Sequence, residues 1–298
     1  MPTDEEVSLF ANFSEKFQNA NWPYPTTLES KEKIDISIIC LTYNHRAFIE
    51  RTLFSFLNQK SSASVEILIF DDCSTDGTIE LLNAFSRSFP NLISLHIQEY
   101  NKFSVGESNI TEIFEKARGR YIAYTEGDDY WLSETKLEDQ FSLLEANPSL
   151  ALVYGSALFI DEFDTLIPIY SNSSNYADMS AYKLESGANI FTLTSMFRNN
   201  FELPENINGK NIYLDILLWS ICGERGAGHF MQKLPASAYR VHSNGLSSGS
   251  SQQKRIRMLK TTYWLMLLRK VRKIRVAGFS IALKLCLLVA RDVIRYRG

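Results

Sequence analysis

Three carboxylates lie within four residues of one another, at Glu126, Asp128 and Asp129, directly after the apolar run 121–124. The run has the length of a short buried strand, and Gly127 lets the backbone turn sharply between the acids. Carboxylates this close repel each other unless a cation lies among them, and Mg²⁺ and Mn²⁺ take carboxylate oxygens. The segment therefore predicts a divalent metal site, with a solvated acidic turn before a helix as the alternative.

The flanking sequence alternates between apolar, strand-like runs and helical spacing. Buried strands are predicted at 34–41, 65–70 and 92–97, and each is followed by a polar loop and by a helix with apolar residues on one face. The order β-α-β-α-β-α-β predicts an α/β fold with a Rossmann-like, mostly parallel sheet flanked by helices. The polar loops then share the sheet edge where open α/β folds bind ligands. One further strand is predicted at 150–161.

Two of these loops contain side chains that suit a nucleotide. The first reads T-Y-N-H at 42–45, and the second reads D-D-C-S-T-D-G-T at 71–78. A bound base needs a flat apolar or aromatic contact, and the base and ribose need a carboxylate or amide as hydrogen-bond partner. Tyr43, Asp72 and Glu126 suit these roles.

The acids of the second loop have a structural alternative. The pair at 71–72 suits a helix cap with an Asx turn, but we expect Thr75 or Asp76 to cap the helix, which leaves Asp72 free. We expect His45 to be a structural polar residue, because no metal-binding partner lies near it in the sequence.

Composition limits the class of protein. The chain has 298 residues, 45% of them hydrophobic, which is enough for one large domain with an appendage. Its four cysteines lack metal-ligand or redox spacing, so we expect reduced thiols in a cytosolic setting. No secretory signal is predicted, because the acidic N-terminus has no apolar core. Residues 251–298 carry 13 Lys or Arg and one acid, whereas the preceding 250 residues carry a net charge of −15.

The basic segment has apolar residues at helical spacing between Ile256 and Ile274, and an apolar stretch at 279–290 that Lys284 interrupts. That stretch is shorter than a typical membrane span. A pair of basic amphipathic helices lying on an anionic membrane surface fits the composition better. We therefore predict a membrane partner and no nucleic acid. The alternatives are nucleic-acid binding and packing on the domain or on a second subunit.

Three segments carry a family resemblance: S-I-I-C-L-T-Y-N-H at 37–45, F-D-D-C-S-T-D-G-T at 70–78 and G-R-Y-I-A-Y-T-E-G-D-D-Y-W at 119–131. In order and spacing they resemble family 2 glycosyltransferases with the GT-A fold, of the kind that acts in bacterial surface polysaccharide assembly. The resemblance covers residues 35 to about 150. It implies a nucleotide-sugar donor, a divalent cation and inversion at the anomeric carbon.

The resemblance also implies site residues by position. Leu41 replaces the usual proline, and Glu126 replaces the usual first aspartate of the metal motif. Mn²⁺ or Mg²⁺ would bind Asp128. The residues expected to bind the donor or its metal are Thr42, Tyr43, Asn44, Asp72, Glu126, Asp128, Asp129, Arg240 and His242.

The catalytic base is expected at Asp215, just before an apolar helical run, where it resembles the base of this family. An inverting transfer is a single displacement, so the acceptor hydroxyl must lose its proton to a base as it attacks. The alternative is a carboxylate that stabilises the helix dipole, with Asp129 and Glu224 as other candidate bases. Arg240 and His242 either neutralise the departing diphosphate or have structural roles.

We predict a lead-in at 1–33, a GT-A domain at 34–250 and a basic helical tail at 251–298. The domain divides into a nucleotide-sugar half to residue 130 and an acceptor half from 131, in which the polar segment 167–182 is expected to be a mobile loop.

The predicted enzyme is cytoplasmic and peripheral on the inner face of the cell membrane. It transfers a sugar from a nucleoside diphosphate sugar, with UDP favoured, to a hydroxyl of a lipid-linked glycan. One alternative is a catalytically inactive family member that binds nucleotide sugars or membranes. Nucleotidyl transfer is disfavoured, because the loop after the first strand lacks a Gly-rich, Lys-bearing phosphate loop.

Overall fold

The computed structural model describes residues 3–107, 110–167, 176–204, 207, 212–235, 237–243, 251–273, 281–284 and 286–287. Strands and helices alternate through the first half, as predicted. The strands are β1 Ile36–Thr42, β2 Val65–Asp71, β3 Ile93–Ile97, β4 Tyr121–Glu126, β5 Tyr130–Trp131, β6 Leu150–Tyr154, β7 Ala157–Ile160, β8 Ser195–Arg198, β9 Ala227–Phe230 and β10 Ser237–Arg240. The helices are α1 Asp4–Asn19, α2 Ile49–Leu57, α3 Thr78–Ser88, α4 Ile110–Lys116, α5 Lys136–Ala146, α6 Ala181–Glu185, α7 Leu214–Gly223 and α8 Gln252–Lys273.

The main sheet has seven strands in the order β3-β2-β1-β4-β8-β6-β9. The first four strands of the chain are parallel neighbours, with β1 between β2 and β4. Strand β8 is antiparallel to both β4 and β6, and β9 is parallel to β6. The predicted mostly parallel α/β sheet flanked by helices is therefore confirmed.

The apolar runs that predicted β1 and β2 are buried on both faces. Ile36, Ile38 and Ile39 in β1 and Val65 and Ile67 in β2 have no solvent-exposed surface. A central parallel strand with helices on both sides buries alternate side chains in opposite layers, which is why both strands are continuously apolar. This rigid pair carries the two polar loops of the candidate site at its carboxyl end.

The single strand predicted at 150–161 is wrong, because the structure contains two strands there in two different sheets. Strand β6 pairs with β8 and β9, whereas β7 pairs with β10 in a small three-stranded sheet ordered β5-β10-β7. The change falls at Gly155 and Ser156, where the Gly155 N–H donates to Thr194 O and Ser156 O accepts from the Ser237 N–H. An apolar run does not reveal which partners its residues pair with, so the switch was invisible in the sequence.

The N-terminal helix packs against the site half of the molecule. Phe13 of α1 is buried and stacks on Tyr130 of β5 with 4.8 Å between ring centroids. Tyr24 and Leu28 belong to the same hydrophobic cluster. Residues that precede the predicted domain thus cover the strand that directly follows the three carboxylates.

Helix α8 packs on α7 through an apolar cluster that includes Ile216, Leu217, Met266 and Ile281. One side of helix α8 in the basic segment therefore packs on the body of the protein. Packing on the domain was the alternative to the predicted membrane role. Among the residues that the structure describes, no helix has a stretch long and apolar enough to cross a bilayer. Most of the predicted second tail helix, and residues 168–175 of the predicted mobile loop, lie outside the described residues.

Candidate active site

Backbone hydrogen bonds hold the ends of β1, β2 and β4 together at one edge of the sheet. The N–H of Asp72 donates to Thr42 O at 3.0 Å, and the N–H of Gly127 donates to Leu41 O at 2.7 Å. The loops that follow the three strands are consequently neighbours. The sheet order seen in the structure, with β1 between β2 and β4, brings the candidate residues of all three loops to one place.

Asn44 connects the first two loops. Its backbone is left-handed, with φ of 53°, a conformation that Asn tolerates better than most residues. Its N–H donates to Ser74 Oγ at 2.8 Å, and its side-chain oxygen accepts the N–H of Thr75 at 2.8 Å. Asn44 therefore holds the first two loops together at the predicted donor site. Its direct contact with a nucleotide stays a prediction.

Thr42 and Tyr43 face the edge of the sheet in different ways. Thr42 is 4% exposed, and its Oγ1 has no hydrogen-bond partner among the described residues. Tyr43 is 42% exposed. A buried hydroxyl without a partner and an exposed aromatic ring are features that a bound base and ribose would use.

Asp72 is not free, contrary to expectation. Its carboxylate accepts the backbone N–H groups of Lys102 and Phe103 at 2.9 and 3.1 Å, which ties the segment after β3 to the end of β2. The predicted cap at Thr75 or Asp76 is wrong, because the N-cap of α3 is Gly77, which has no side chain to bond the first turn. Asp76 lies one residue earlier and accepts the N–H of Thr78 at 3.0 Å. A carboxylate has about four acceptor positions, so Asp72 keeps capacity for a ligand while it orders this segment.

Asp128 lies between two histidines. Its Oδ2 is 2.8 Å from His242 Nε2 and 3.8 Å from His45 Nε2. The ligand atoms of the three residues all lie within 4.8 Å of one another, as in a set that holds a metal ion. The structural role expected for His45 stays a prediction, but its ring lies close enough to share an ion with Asp128 and His242. Its partners are distant in sequence, and no local spacing could have indicated the cluster.

The carboxylates of this segment have opposite pKa shifts. Burial and then the charge of Asp128 raise the pKa of Glu126 to about 8. Burial also acts to raise the pKa of Asp128, but the hydrogen bond to His242 and the charges of His45 and His242 outweigh it, so that the pKa is lowered. Asp128 is accordingly ionised at neutral pH, whereas Glu126 is mostly protonated.

Asp129 and Arg240 hold the site together. Asp129 is 2% exposed, and its Oδ1 accepts the backbone N–H of Arg240 at 2.8 Å. The Arg240 guanidinium donates to Asp128 O, Asp161 O and Asp164 Oδ1 at 2.7–2.9 Å. These bonds favour structural roles for both residues, and contact with a diphosphate or an acceptor stays a prediction for each.

Asp164 is a residue that sequence reasoning missed. Its carboxylate bridges Arg240 and Arg51, each at 2.7 Å, and lies 3.2 Å from the hydroxyl of Tyr130. Its backbone is left-handed, with φ of 61°. Because Arg240 in turn holds the carbonyl of Asp128, this ion-pair network fixes the backbone of the acidic segment. No local pattern marks three residues from three separate elements.

Asp215 occupies the first turn of α7 and is partly buried. Burial raises its pKa to about 6. Its charge contributes to the raised pKa values of Glu126 and Tyr124, so it lies close to the end of β4. A carboxylate with this pKa is ionised at neutral pH and is suited to accept a proton.

Glu224, the other candidate base in α7, is far from this edge. It caps the opposite end of the helix, roughly 13 Å from Asp215 at 1.5 Å per residue. Its carboxylate is 3% exposed and pairs with Arg269 and Lys270. The structure therefore removes Glu224 as an alternative base.

The short turn Thr192–Thr194 supports Glu126. The hydroxyl of Thr192 donates to Glu126 Oε2 at 3.1 Å. The turn is anchored from the other side, where Trp131 Nε1 donates to Leu193 O and Gln140 Nε2 donates to Thr194 O. It connects α5 and β5 to the acidic segment.

Comparison with known sequences identifies relatives of several activities. The chain is 29% identical over 226 residues to "UDP-Glc:alpha-D-GlcNAc-diphosphoundecaprenol beta-1,3-glucosyltransferase WfaP" of Escherichia coli, covering 73% of this chain and 82% of that protein. An uncharacterised protein of Mycobacterium tuberculosis is 27% identical over 217 residues, or 71% of this chain. The chain spans about 60% of the length of that mycobacterial relative.

Solved structures share the fold. S. aureus TarS in complex with UDP-GlcNAc superimposes with a TM-score of 0.58 at 16% identity, over 78% of this chain and 67% of that chain. Mannosyltransferase PcManGT from Pyrobaculum calidifontis, in complex with GDP-Man and Mn²⁺, gives 0.53 at 14% identity over 90% and 72%. Residues 37–203 match the family described as Glycosyl transferase family 2, so this chain belongs to that family and has its GT-A fold.

Proposed function

We propose that this chain is an inverting glycosyltransferase that moves a sugar from a nucleoside diphosphate sugar to an acceptor hydroxyl. The observation that carries the proposal is the cluster of Asp128, His45 and His242, whose ligand atoms lie within 4.8 Å of one another. The cluster stands at the carboxyl edge of the sheet, where ligands bind in this class of fold. Asp215 lies close to the same edge.

The donor is expected to bind across the loops that follow β1 and β2. The exposed ring of Tyr43 would stack on the base, with Thr42 Oγ1 and the free acceptor positions of Asp72 near the base and ribose. We favour uridine, because the named relative WfaP uses UDP-Glc and TarS was solved with UDP-GlcNAc.

The donor set suits Mn²⁺ or Mg²⁺ held by Asp128, with His45 and His242 beside it. Imidazole nitrogens favour Mn²⁺ of the two, because Mg²⁺ takes oxygen ligands and keeps several waters. When bound, the ion would stabilise negative charge on the departing diphosphate. The network of Asp164 and Arg240 would hold the Asp128 backbone still while this charge develops.

Asp215 is the proposed base. An ionised carboxylate on the acceptor side removes the hydroxyl proton as the oxygen attacks the anomeric carbon, and a single attack of this kind inverts the configuration. Burial keeps the carboxylate poorly solvated and raises its pKa to about 6, which makes it a stronger base than an exposed aspartate.

We further propose that the acceptor is a lipid-linked glycan, as the name of WfaP states for that enzyme. Residues 251–273 carry eight cations and no acid, and two of the cations, Arg269 and Lys270, pair with acids of the body. Trp264 and Leu268 are exposed on α8. A basic helix with exposed apolar side chains suits an anionic bilayer surface. The protein would then be peripheral on the inner face of the cell membrane, beside its acceptor.

Donor binding is tested by thermal unfolding with UDP, GDP and dTDP, with and without Mn²⁺. We expect one nucleotide, UDP first, to raise Tm more when Mn²⁺ is present. A ligand at 100 times its Kd stabilises by about 2.7 kcal/mol. Asp128→Asn should abolish the metal-dependent part of the shift, because it removes the ionised ligand.

Asp178→Asn is the matched control, since Asp178 also pairs with a histidine, His229, at 2.9 Å, on a strand three positions from β4 in the sheet. Absence of any nucleotide shift with Mn²⁺ would overturn the donor site. A shift without UDP release from a UDP-sugar and a polyprenyl diphosphate-linked acceptor would instead support the inactive family member.

A further inference from the structure

Helix α7, which carries Asp215, is held by α8 at its start. The backbone N–H of Tyr213, the residue before α7, donates to Thr262 Oγ1 at 2.9 Å. Thr262 has no exposed surface, and its hydroxyl donates to Met258 O at 2.8 Å within its own helix. The first N–H groups of a helix lack partners inside the helix. Thr262 supplies a partner for the N–H of Tyr213, which is two residues before the proposed base.

Helix α7 is also held by α8 at its end. Arg269 donates twice to the Glu224 carboxylate, at 2.8 and 3.0 Å, and Lys270 Nζ lies 3.1 Å from the same group. Lys270 also pairs with Glu185 of α6 at 2.8 Å and has no exposed side-chain surface. Removing one partner of such a buried ion pair is strongly destabilising, because the other charge is left buried without compensation.

The two contacts lie at opposite ends of α7 and on one side of α8. Between them, Ile216, Leu217 and Ile221 of α7 share an apolar cluster with Met266. Polar contacts are directional, so a pair of them at the two ends fixes both the rotation and the axial position of a helix, whereas apolar packing alone tolerates small shifts. Arg269 and Lys270 of the basic segment therefore bind acids of the body and do not add to the charge of an exposed surface.

We propose that α8 is a positioning element of the proposed active site, which fixes where α7 presents the Asp215 carboxylate. Thr262 is the positioning residue at the start of α7, and Lys270 is the positioning residue at its end. The proposal rests on the proposed role of Asp215 as the base. It makes the basic C-terminal segment part of the acceptor site, in addition to any role at a membrane.

The test compares Thr262→Val with Thr261→Val in the full chain. Both hydroxyls bond a carbonyl four residues earlier in α8, but only that of Thr262 reaches α7. We expect Thr262→Val to lower kcat about ten-fold while the KM for the donor stays unchanged. Hydrogen–deuterium exchange should rise at residues 213–217 and not in β1 or β2. Thr262→Ser should restore both kcat and the exchange at residues 213–217, and Thr261→Val should match the wild type.

Lys270→Met is a second variant, and it should increase exchange at the opposite end of α7. Equal effects of Thr261→Val and Thr262→Val would overturn the proposal, as would exchange that rises uniformly through β1, β2 and α7. If the wild type shows no transfer, the proposed function fails. In that case hydrogen–deuterium exchange still tests whether α8 fixes α7. Unchanged exchange in α7 of both variants would overturn the positioning role of α8 as well.

Discussion

A carboxylate between two imidazoles sets the charge of the site at the scale of single residues. Asp128 keeps a low pKa although it is buried, because His242 and His45 stabilise its ionised form. Its neighbour Glu126 has no cation beside it among the described residues, and its pKa rises to about 8. The two acids thus differ in protonation, with Asp128 ionised and Glu126 mostly neutral and hydrogen-bonded to Thr192.

The pKa of Asp215 predicts the pH dependence of transfer. Burial raises this pKa to about 6, and the base acts in its ionised form, so the rate should fall as pH decreases through 6 and level off above it. Asp215→Asn should lower kcat by roughly 10²–10⁴-fold and leave the nucleotide thermal shift intact. Initial rates between pH 5 and 8 measure the pH dependence and the loss of kcat.

Asp139→Asn serves as the control for Asp215→Asn, because Asp139 also lies in the first turn of a helix, α5, but its carboxylate accepts the hydroxyl of Thr135. Full activity in Asp215→Asn, or an acid limb that persists in that variant, would contradict the assignment of the base.

The elements of the first half bring the loops together at the next scale. Strands β1, β2 and β4 are parallel neighbours, and their carboxyl ends must therefore meet at one edge. Helix α2 closes over that edge, where the hydroxyl of Thr52 donates to the carbonyls of Gly127 and Asp129. The sharp turn after β4 depends on how closely these elements approach.

Gly127 sets this approach. A Cβ at this position would lie 2.8 Å from Ile49 Cδ1 and 2.9 Å from Thr42 Cβ. We expect Gly127→Ala to force β1, α2 and the acidic turn apart, lower the free energy of unfolding by about 1–3 kcal/mol and weaken nucleotide binding. Chemical denaturation and the nucleotide thermal shift measure the two effects.

Gly155→Ala is the comparison, since the nearest atom to its Cβ would be the flexible end of Leu234, at 3.1 Å. Wild-type stability and nucleotide binding in Gly127→Ala would show that the edge is not tightly packed at this turn.

The whole molecule joins an acidic body to a basic C-terminal segment. Helix α8 has two different sides. One side contacts α7 through Thr262, Met266 and Lys270, which are buried, and the other carries Trp264 and Leu268, which are exposed. The same helix can therefore pack on α7 with one side and present the other side to a membrane.

This arrangement predicts binding to vesicles that contain phosphatidylglycerol and not to neutral ones, weakened by salt because exposed charges are screened. The double substitution Trp264→Gln and Leu268→Gln should lower the partition coefficient by at least roughly ten-fold, because two apolar side chains no longer enter the interface. Co-sedimentation measures this. Val7→Gln, which changes an exposed apolar residue on the acidic helix α1, should have no effect. Unchanged sedimentation of the double variant would contradict the membrane surface.

The amino-acid sequence was enough to predict the order of strands and helices along the first half of the chain and the residues of the three loops. Buried parallel strands are continuous apolar runs, and amphipathic helices repeat at their own period, so both patterns are local in the chain. The motif segments are local as well, which is why the order and spacing of their residues are enough to recognise the family. The proposed roles of Asp128 and Asp215 follow from that resemblance by position in the chain.

The folded structure was needed to show which distant residues meet. Asp128 and His242 are 114 residues apart, and Arg51, Asp164 and Arg240 come from separate elements. It likewise showed that Asp72 orders a loop and that Lys270 is buried. Periodicity reports how far a residue is buried and not against which partner. Contacts between loops follow from sheet order and helix packing, which fix the geometry that a linear pattern does not contain.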